Sequence, residues 1–165
     1  MGRHGFSAMS ALVALLAAAL CGPVAAQAPR DRHAGYYYPP PISIETYKPR
    51  SKILKDSNRS RRIGFVINLI GSMRQLPYPP VFDIFPKGEG AQKLIIVSKR
   101  AGRLNTIYRV RVLLATLTSV ARTMPIFVNN HVETLFTFLD LLKMLGFIQI
   151  TVTDGAAFAH QIKLE

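Results

Sequence analysis

His160 is the residue of this chain best placed by spacing to do acid–base chemistry. In Phe158-Ala-His-Gln-Ile-Lys-Leu164 it shares the alternating strand face of Phe158, Ile162 and Leu164, so parity turns it toward the core. Asp154, at the Asp154-Gly155 turn just before, is the nearest carboxylate in sequence, and the two form a candidate buried polar site. An imidazole held by a carboxylate can serve as acid or base. The commoner use of such a position is structural, with the ring hydrogen-bonded to backbone.

A second candidate is made of cations. Arg59, Arg61 and Arg62 form one cluster, and Lys99, Arg100, Arg103, Arg109 and Arg111 form another. Joined on one surface, they would attract phosphate-rich or otherwise anionic partners. Of the 21 Lys and Arg, seventeen lie between Arg30 and Arg111, against five of the nine acidic residues. The rest of the chain, from Val112 onward, is nearly neutral. The positive field therefore belongs to the N-terminal half, and a solvated face that aids solubility is the plainer reading of it.

Other chemistries find little footing. Gly71-Ser72 sits in a helical pattern and lacks the second glycine of a strand-to-helix nucleophile elbow, so nucleophilic hydrolysis is not expected. His33, His131 and His160 form no His-x-x-x-His pair, and no metal site is expected. Lys87-Gly-Glu-Gly90 has the composition of a phosphate cradle, but it joins two strands, whereas a phosphate loop leads from strand to helix. No cofactor is called for by the residues.

Positioning these groups takes one domain. Asp56 or Ser57 can cap a first helix with Ile63, Val66, Ile67, Ile70 and Met73 as its apolar stripe, and Pro77-Tyr-Pro-Pro80 ends it. Val81–Phe85 and Lys93–Ser98 read as a hairpin. Thr106 to Thr123 reads as an amphipathic helix capped by Asn105, and His131 to Leu145 as a third helix stopped by Gly146. Phe147–Thr153 and Phe158–Leu164 form a second hairpin about Asp154-Gly155. The order α-β-β-α-α-β-β predicts an α+β domain over 57–165, an antiparallel four-stranded sheet covered on one face by about three helices. Residues 27–56, with Gly35-Tyr-Tyr-Tyr-Pro-Pro-Pro41, read as an extended Tyr/Pro-rich arm or spacer.

The first 26 residues read as a signal peptide. Arg3 is followed by an uncharged stretch from Ala8 to Leu20, then by Gly22-Pro23 and small residues to Ala26. That stretch is shorter than the ~20 apolar residues of a membrane span, so the mature chain is expected to have no transmembrane segment. It would be periplasmic or extracellular. Cys21 raises a lipoprotein reading, although Leu20 is a poor residue to precede a lipidated cysteine. Cleavage after Ala26 would leave a cysteine-free protein, which excludes disulfides, thiolate catalysis and iron–sulfur clusters.

Several stretches carry a resemblance. Gly35-Tyr-Tyr-Tyr-Pro-Pro-Pro, Arg61-Arg-Ile-Gly-Phe65, Pro77-Tyr-Pro-Pro80, Lys93-Leu-Ile-Ile-Val97, Leu139-Asp-Leu-Leu-Lys-Met-Leu-Gly-Phe147 and Phe158-Ala-His-Gln161 together cover almost all of the expected mature chain. The pattern resembles a family of small exported bacterial proteins of uncharacterised function. Members of that family sometimes bear the name molybdopterin-guanine dinucleotide biosynthesis protein A. That name implies a nucleotidyltransferase of molybdenum cofactor synthesis using GTP and magnesium. Met73-Arg74 and Lys87-Gly88 match that enzyme's motif only in fragments, so no catalytic residue carries over.

The expectation is thus an exported, non-catalytic basic domain that binds an anionic lipid, a polysaccharide or an acidic protein. An extracytoplasmic location disfavours nucleic acid. Nucleotidyl transfer is the enzymatic alternative, and a structural subunit of an envelope complex is the other.

Overall fold

The computed structural model describes residues 39–100 and 102–165. The expected signal peptide, Cys21, His33 and the Gly35–Tyr38 part of the arm lie outside the described residues. The described elements run β1 (Ser43–Tyr47), α1 (Arg59–Arg74), β2 (Phe82–Lys87), β3 (Lys93–Ser98), α2 (Ile107–Arg122), α3 (Pro125–Val128), α4 (Phe138–Met144), β4 (Gln149–Thr153) and β5 (Ala159–Leu164).

The sheet corrects the expected fold. It has five strands, ordered β1-β5-β4-β3-β2, and it is mixed. Both expected hairpins form, β2 antiparallel to β3 and β4 antiparallel to β5. They are joined by a parallel pairing of β3 with β4, and β1 adds to β5, again in parallel. The α2–α4 segment is the reason. It carries the chain from the end of β3 back to the start of β4, and a crossover of that length returns the next strand in the same direction. Leu94, Ile95 and Ile96 of β3 are almost wholly buried, as suits an inner strand with a parallel neighbour.

The fifth strand comes from Ser43–Tyr47, inside the stretch read as a spacer. Its polarity is inverted: Ile44 is exposed, whereas Ser43, Glu45 and Tyr47 turn toward the helix-covered face. Three residues after β1 the chain is fastened again. Asp140, fully buried on α4, accepts hydrogen bonds from the Arg50 N–H (2.8 Å) and, more weakly, from the Tyr47 hydroxyl. Ser51 Oγ donates to the Asp140 carbonyl at 2.6 Å.

Helix ends follow side-chain chemistry. Asn58 caps α1 by accepting from the Arg61 N–H, and Thr106 caps α2 by accepting from the Arg109 N–H. The helix expected from His131 begins later, at α4. Thr137 and Asp140 form a reciprocal capping box there, and His131, at φ 52°, is in a conformation no helix propagates. Gly146, at φ +79°, ends α4. A Cβ at that position would lie 2.5 Å from Ser57 Oγ and 2.8 Å from an Arg62 guanidinium nitrogen, so glycine is needed for space as well as conformation.

Ile84, Leu94, Ile96, Ile150, Val152, Ile162 and Leu164 supply the sheet side of the core. Phe65, Leu69, Leu117, Phe127, Phe138, Leu141 and Phe147 supply the helical side. Phe65 is central to it, with its ring centroid 6.3 Å from those of both Phe138 and Phe147. No helix among the described residues is long and apolar enough to cross a membrane.

The β4–β5 turn is built around Asp154. One carboxylate oxygen accepts from the N–H groups of Ala156, Ala157 and Phe158 at 2.9–3.0 Å. Burial alone raises this carboxyl's pKa, but the bonds from Ala156, Phe158 and Ala157 together outweigh it and hold the group below the ordinary value of 3.8. A folded-state pKa below the unfolded one stabilises the fold at neutral pH, and that contribution is lost as pH falls through the folded value. Asp154→Ala is therefore expected to cost about 1–2 kcal/mol at pH 7. Urea titrations over a pH series should show this difference shrinking as pH falls below 3.8 and through the folded value.

Candidate functional site

The two cationic clusters occupy opposite ends of the sheet. Arg59 Nε donates to the Glu89 carbonyl and Arg62 Nε to the Gly90 carbonyl, which puts the start of α1 against the β2–β3 hairpin loop. Lys99 and Arg100 follow the other end of β3, where the Lys99 N–H donates to the Val81 carbonyl. The six residues of β3 separate these ends by about 20 Å. The single basic surface proposed by the sequence is in fact two.

The first cluster is largely committed to structure. Arg62 is 8 % exposed and bonds the Gly90 carbonyl (2.8 Å), Ser57 Oγ (3.1 Å) and the Leu145 carbonyl (3.1 Å). It ties α1 to the hairpin loop and to the turn after α4, and faces no external ligand. Arg61 pairs with Asp56. Arg59 remains exposed beside the Glu89 carbonyl.

The second cluster keeps its charge. Lys99 pairs with Asp83 at 2.9 Å. Arg109 folds back onto the Gly102 carbonyl and Asn105 Oδ1, bracing the loop that leads into α2. Arg100 and Arg103 are exposed, and their guanidinium groups have no partner among the described residues. The first turn of α2 carries Arg109 and no acidic residue. A helix N-terminus already holds about half a positive charge, and natural helices favour acidic side chains there. Cations are gathered here where the backbone is also positive. Arg111, one turn along, leaves this group and reaches β1, where it pairs with Glu45 at 2.9 Å.

His160 is buried as parity predicted, at 2 % exposed. Its partners come from β1, across the parallel pairing, and Asp154 is not among them. Ser43, its register partner, places Oγ 2.7 Å from Nδ1. Glu45 Oε1 lies 3.4 Å from Nε2, and Glu45 Oε2 receives the Arg111 bond. Ser43, His160, Glu45 and Arg111 thus form one chain of polar groups between the edge of the sheet and α2. Sequence reasoning missed Ser43 and Glu45 because they lie more than a hundred residues from His160, on a strand with inverted polarity.

Beside this chain is an apolar recess of about 230 Å³, lined by Tyr47, Arg111, Leu114, Ala115, Thr118, Thr137, Phe138 and Leu139. A separate groove between α1 and α3 is lined by Gly64, Phe65, Asn68, Met124 and Pro125, with the ion-paired Arg61 at its border. Among the described residues no three His, Cys, Asp or Glu side chains converge as a metal site would require. No family profile, curated protein or solved structure matches this chain.

Proposed function

We propose that this chain is an exported domain that binds an anionic component of the cell envelope through the β3–α2 corner. Phosphate-bearing lipid headgroups are the class that suits it. The observation that carries this reading is the pair of exposed, uncompensated guanidiniums, Arg100 and Arg103, beside a helix start that carries no acidic residue. Arginine forks match phosphate oxygens two at a time, so two of them on a short braced loop suit a headgroup better than dispersed lysines would. The net charge of +12 for the full chain, of which cleavage before Gln27 removes only Arg3, adds long-range attraction to an anionic surface. Export rests on the tripartite N-terminus, and N-terminal sequencing of the native product should read from Gln27.

Binding is tested by cosedimentation with vesicles of phosphatidylcholine alone and of phosphatidylcholine mixed with phosphatidylglycerol. Any apolar attachment contributes to both, so the difference between them isolates the charge-driven part. That difference is expected to be large at about 0.05 M salt and to fall away by about 0.5 M, as the screening length shrinks from ~14 Å to ~4 Å. Equal sedimentation with both vesicles at low salt contradicts the proposal.

A further inference from the structure

We propose that Ser43 is a nucleophile activated by His160, and that this chain transfers or hydrolyses acyl groups at the open edge of β1. The reading is independent of the anion-binding corner, which lies on a different part of the molecule.

The arrangement of partners carries it. Glu45, bonded to Arg111 at 2.9 Å, is an acceptor-only carboxylate facing His160 Nε2 at 3.4 Å. Its negative charge favours the proton on Nε2. The Nδ1 lone pair is then free to accept from the Ser43 hydroxyl at 2.7 Å. A hydroxyl hydrogen-bonded to a neutral imidazole, itself oriented by a carboxylate, is the arrangement that activates a serine. Here the two ring nitrogens exchange roles relative to the common triad, and Nδ1 is the one that takes the serine proton.

Access and charge stabilisation follow from the topology. β1 is an edge strand, and Ser43 is only partly buried, whereas His160 beneath it is shielded. In the parallel ladder, the Tyr47 carbonyl accepts from the Glu165 N–H on the β5 side, so by alternation Ser43 and Glu45 also bond toward β5 and the N–H of Ile44, the next residue, points to the open edge. That N–H is a backbone donor beside the position where an oxyanion would develop. The 230 Å³ apolar recess by Tyr47 and Leu114 lies farther along the same strand face, past Glu45 and Arg111. Four residues of strand put it about 13 Å from Ser43, within reach of a medium-length acyl chain laid along β1. The substrate class is therefore an ester or thioester of such a chain.

The step is balanced by water alone. Ser43 Oγ bonds the acyl carbon as its proton passes to His160. The acyl–oxygen or acyl–sulfur bond then breaks, and the leaving group takes that proton. Water, deprotonated by the same imidazole, releases the acid and restores the Ser43 hydroxyl. His160 acts as the general base, and Glu45 is a positioning residue that acts through it.

The test treats the full-length protein with octyl fluorophosphonate and maps the adduct by mass spectrometry. The Ser43 Oγ–phosphorus bond forms, fluoride leaves, and the hydroxyl proton goes to His160. The expected result is an adduct on Ser43, absent in Ser43→Ala, forming at least a hundredfold more slowly in His160→Gln. Glu45→Gln, whose carboxamide can still contact Arg111, should slow it about tenfold and keeps the test decisive if His160→Gln does not fold. An untouched Ser43 in the folded protein overturns the proposal. So does a labelling rate in Glu45→Gln equal to that of the unsubstituted chain.

Discussion

A Phe147→Ala protein is expected to lose about 4 kcal/mol of unfolding free energy, a large share of what holds a domain of this size together. Phe147 has no exposed surface, directly follows the glycine that ends α4, and packs edge-on against Phe65 at 6.3 Å. Its ring fills the junction where α1, the end of α4 and the sheet meet. Removing it leaves a cavity that Gly146 cannot help to close, because that backbone is pinned against Ser57 and Arg62. Denaturant unfolding of the two proteins measures the difference. A loss below about 1.5 kcal/mol would mean that the site collapses freely and that this junction is not packed as described.

Arg62→Met is expected to cost about 3 kcal/mol, although it keeps the aliphatic stem and removes one of many positive charges. The guanidinium is buried and satisfies the Gly90 and Leu145 carbonyls as well as Ser57 Oγ. Charge-assisted bonds of this kind are worth about 1.5–3 kcal/mol each when a partner is left buried and unpaired, and relaxation recovers part of the sum. The same substitution should leave binding to anionic vesicles unchanged once the fraction of folded protein is matched. Differential scanning fluorimetry with the vesicle assay separates the two readouts. Weakened binding at unchanged stability would return Arg62 to the ligand-facing role that its place in an Arg-rich run implies.

Arg62 also shows why the sequence was legible in some places and opaque in others. Taking it as a solvated charge puts the inward stripe of α1 at Ile63, Val66, Ile67, Ile70 and Met73, of which Val66 and Met73 are buried. The face that is buried runs through Arg62, Phe65, Val66, Leu69 and Met73, and Ile67 is 63 % exposed. A buried, fully bonded arginine carries no sequence signal of its own. Where periodicity was unambiguous, as in α2 and in the Lys93–Ser98 and Ala159–Leu164 strands, elements appear within a few residues of expectation. The start of α4 was readable in principle from Thr137-Phe-Leu-Asp140, a capping-box spacing that the apolar run starting at Val132 obscured.

The mixed sheet was not readable, because local patterning sets which face a strand buries and says nothing about which distant strand lies beside it. β1 is the clearest case. Ser43 and Glu45 point inward because His160 and Arg111 satisfy them there, and Ile44 is left outside. Period-two alternation was present with its polarity reversed, between prolines that suggested an extended spacer. The candidate site inherited that blindness. His160 was visible as an inward histidine, but its partners arrive through a pairing 117 residues away in sequence.

The positive charge divides into arginines that hold the fold, such as Arg62, and arginines left over for a ligand, Arg100 and Arg103. The most direct test compares anionic-vesicle affinity at about 0.05 M salt for the unsubstituted chain, Arg100→Ser/Arg103→Ser, and Arg59→Ser/Arg61→Ser. Affinity should fall at least tenfold in the first variant and stay within about twofold in the second, since opposed unit charges near a phosphate surface contribute about 1 kcal/mol apiece. Equal losses in the two variants would contradict the division, because attraction would then follow total charge and not the corner between β3 and α2.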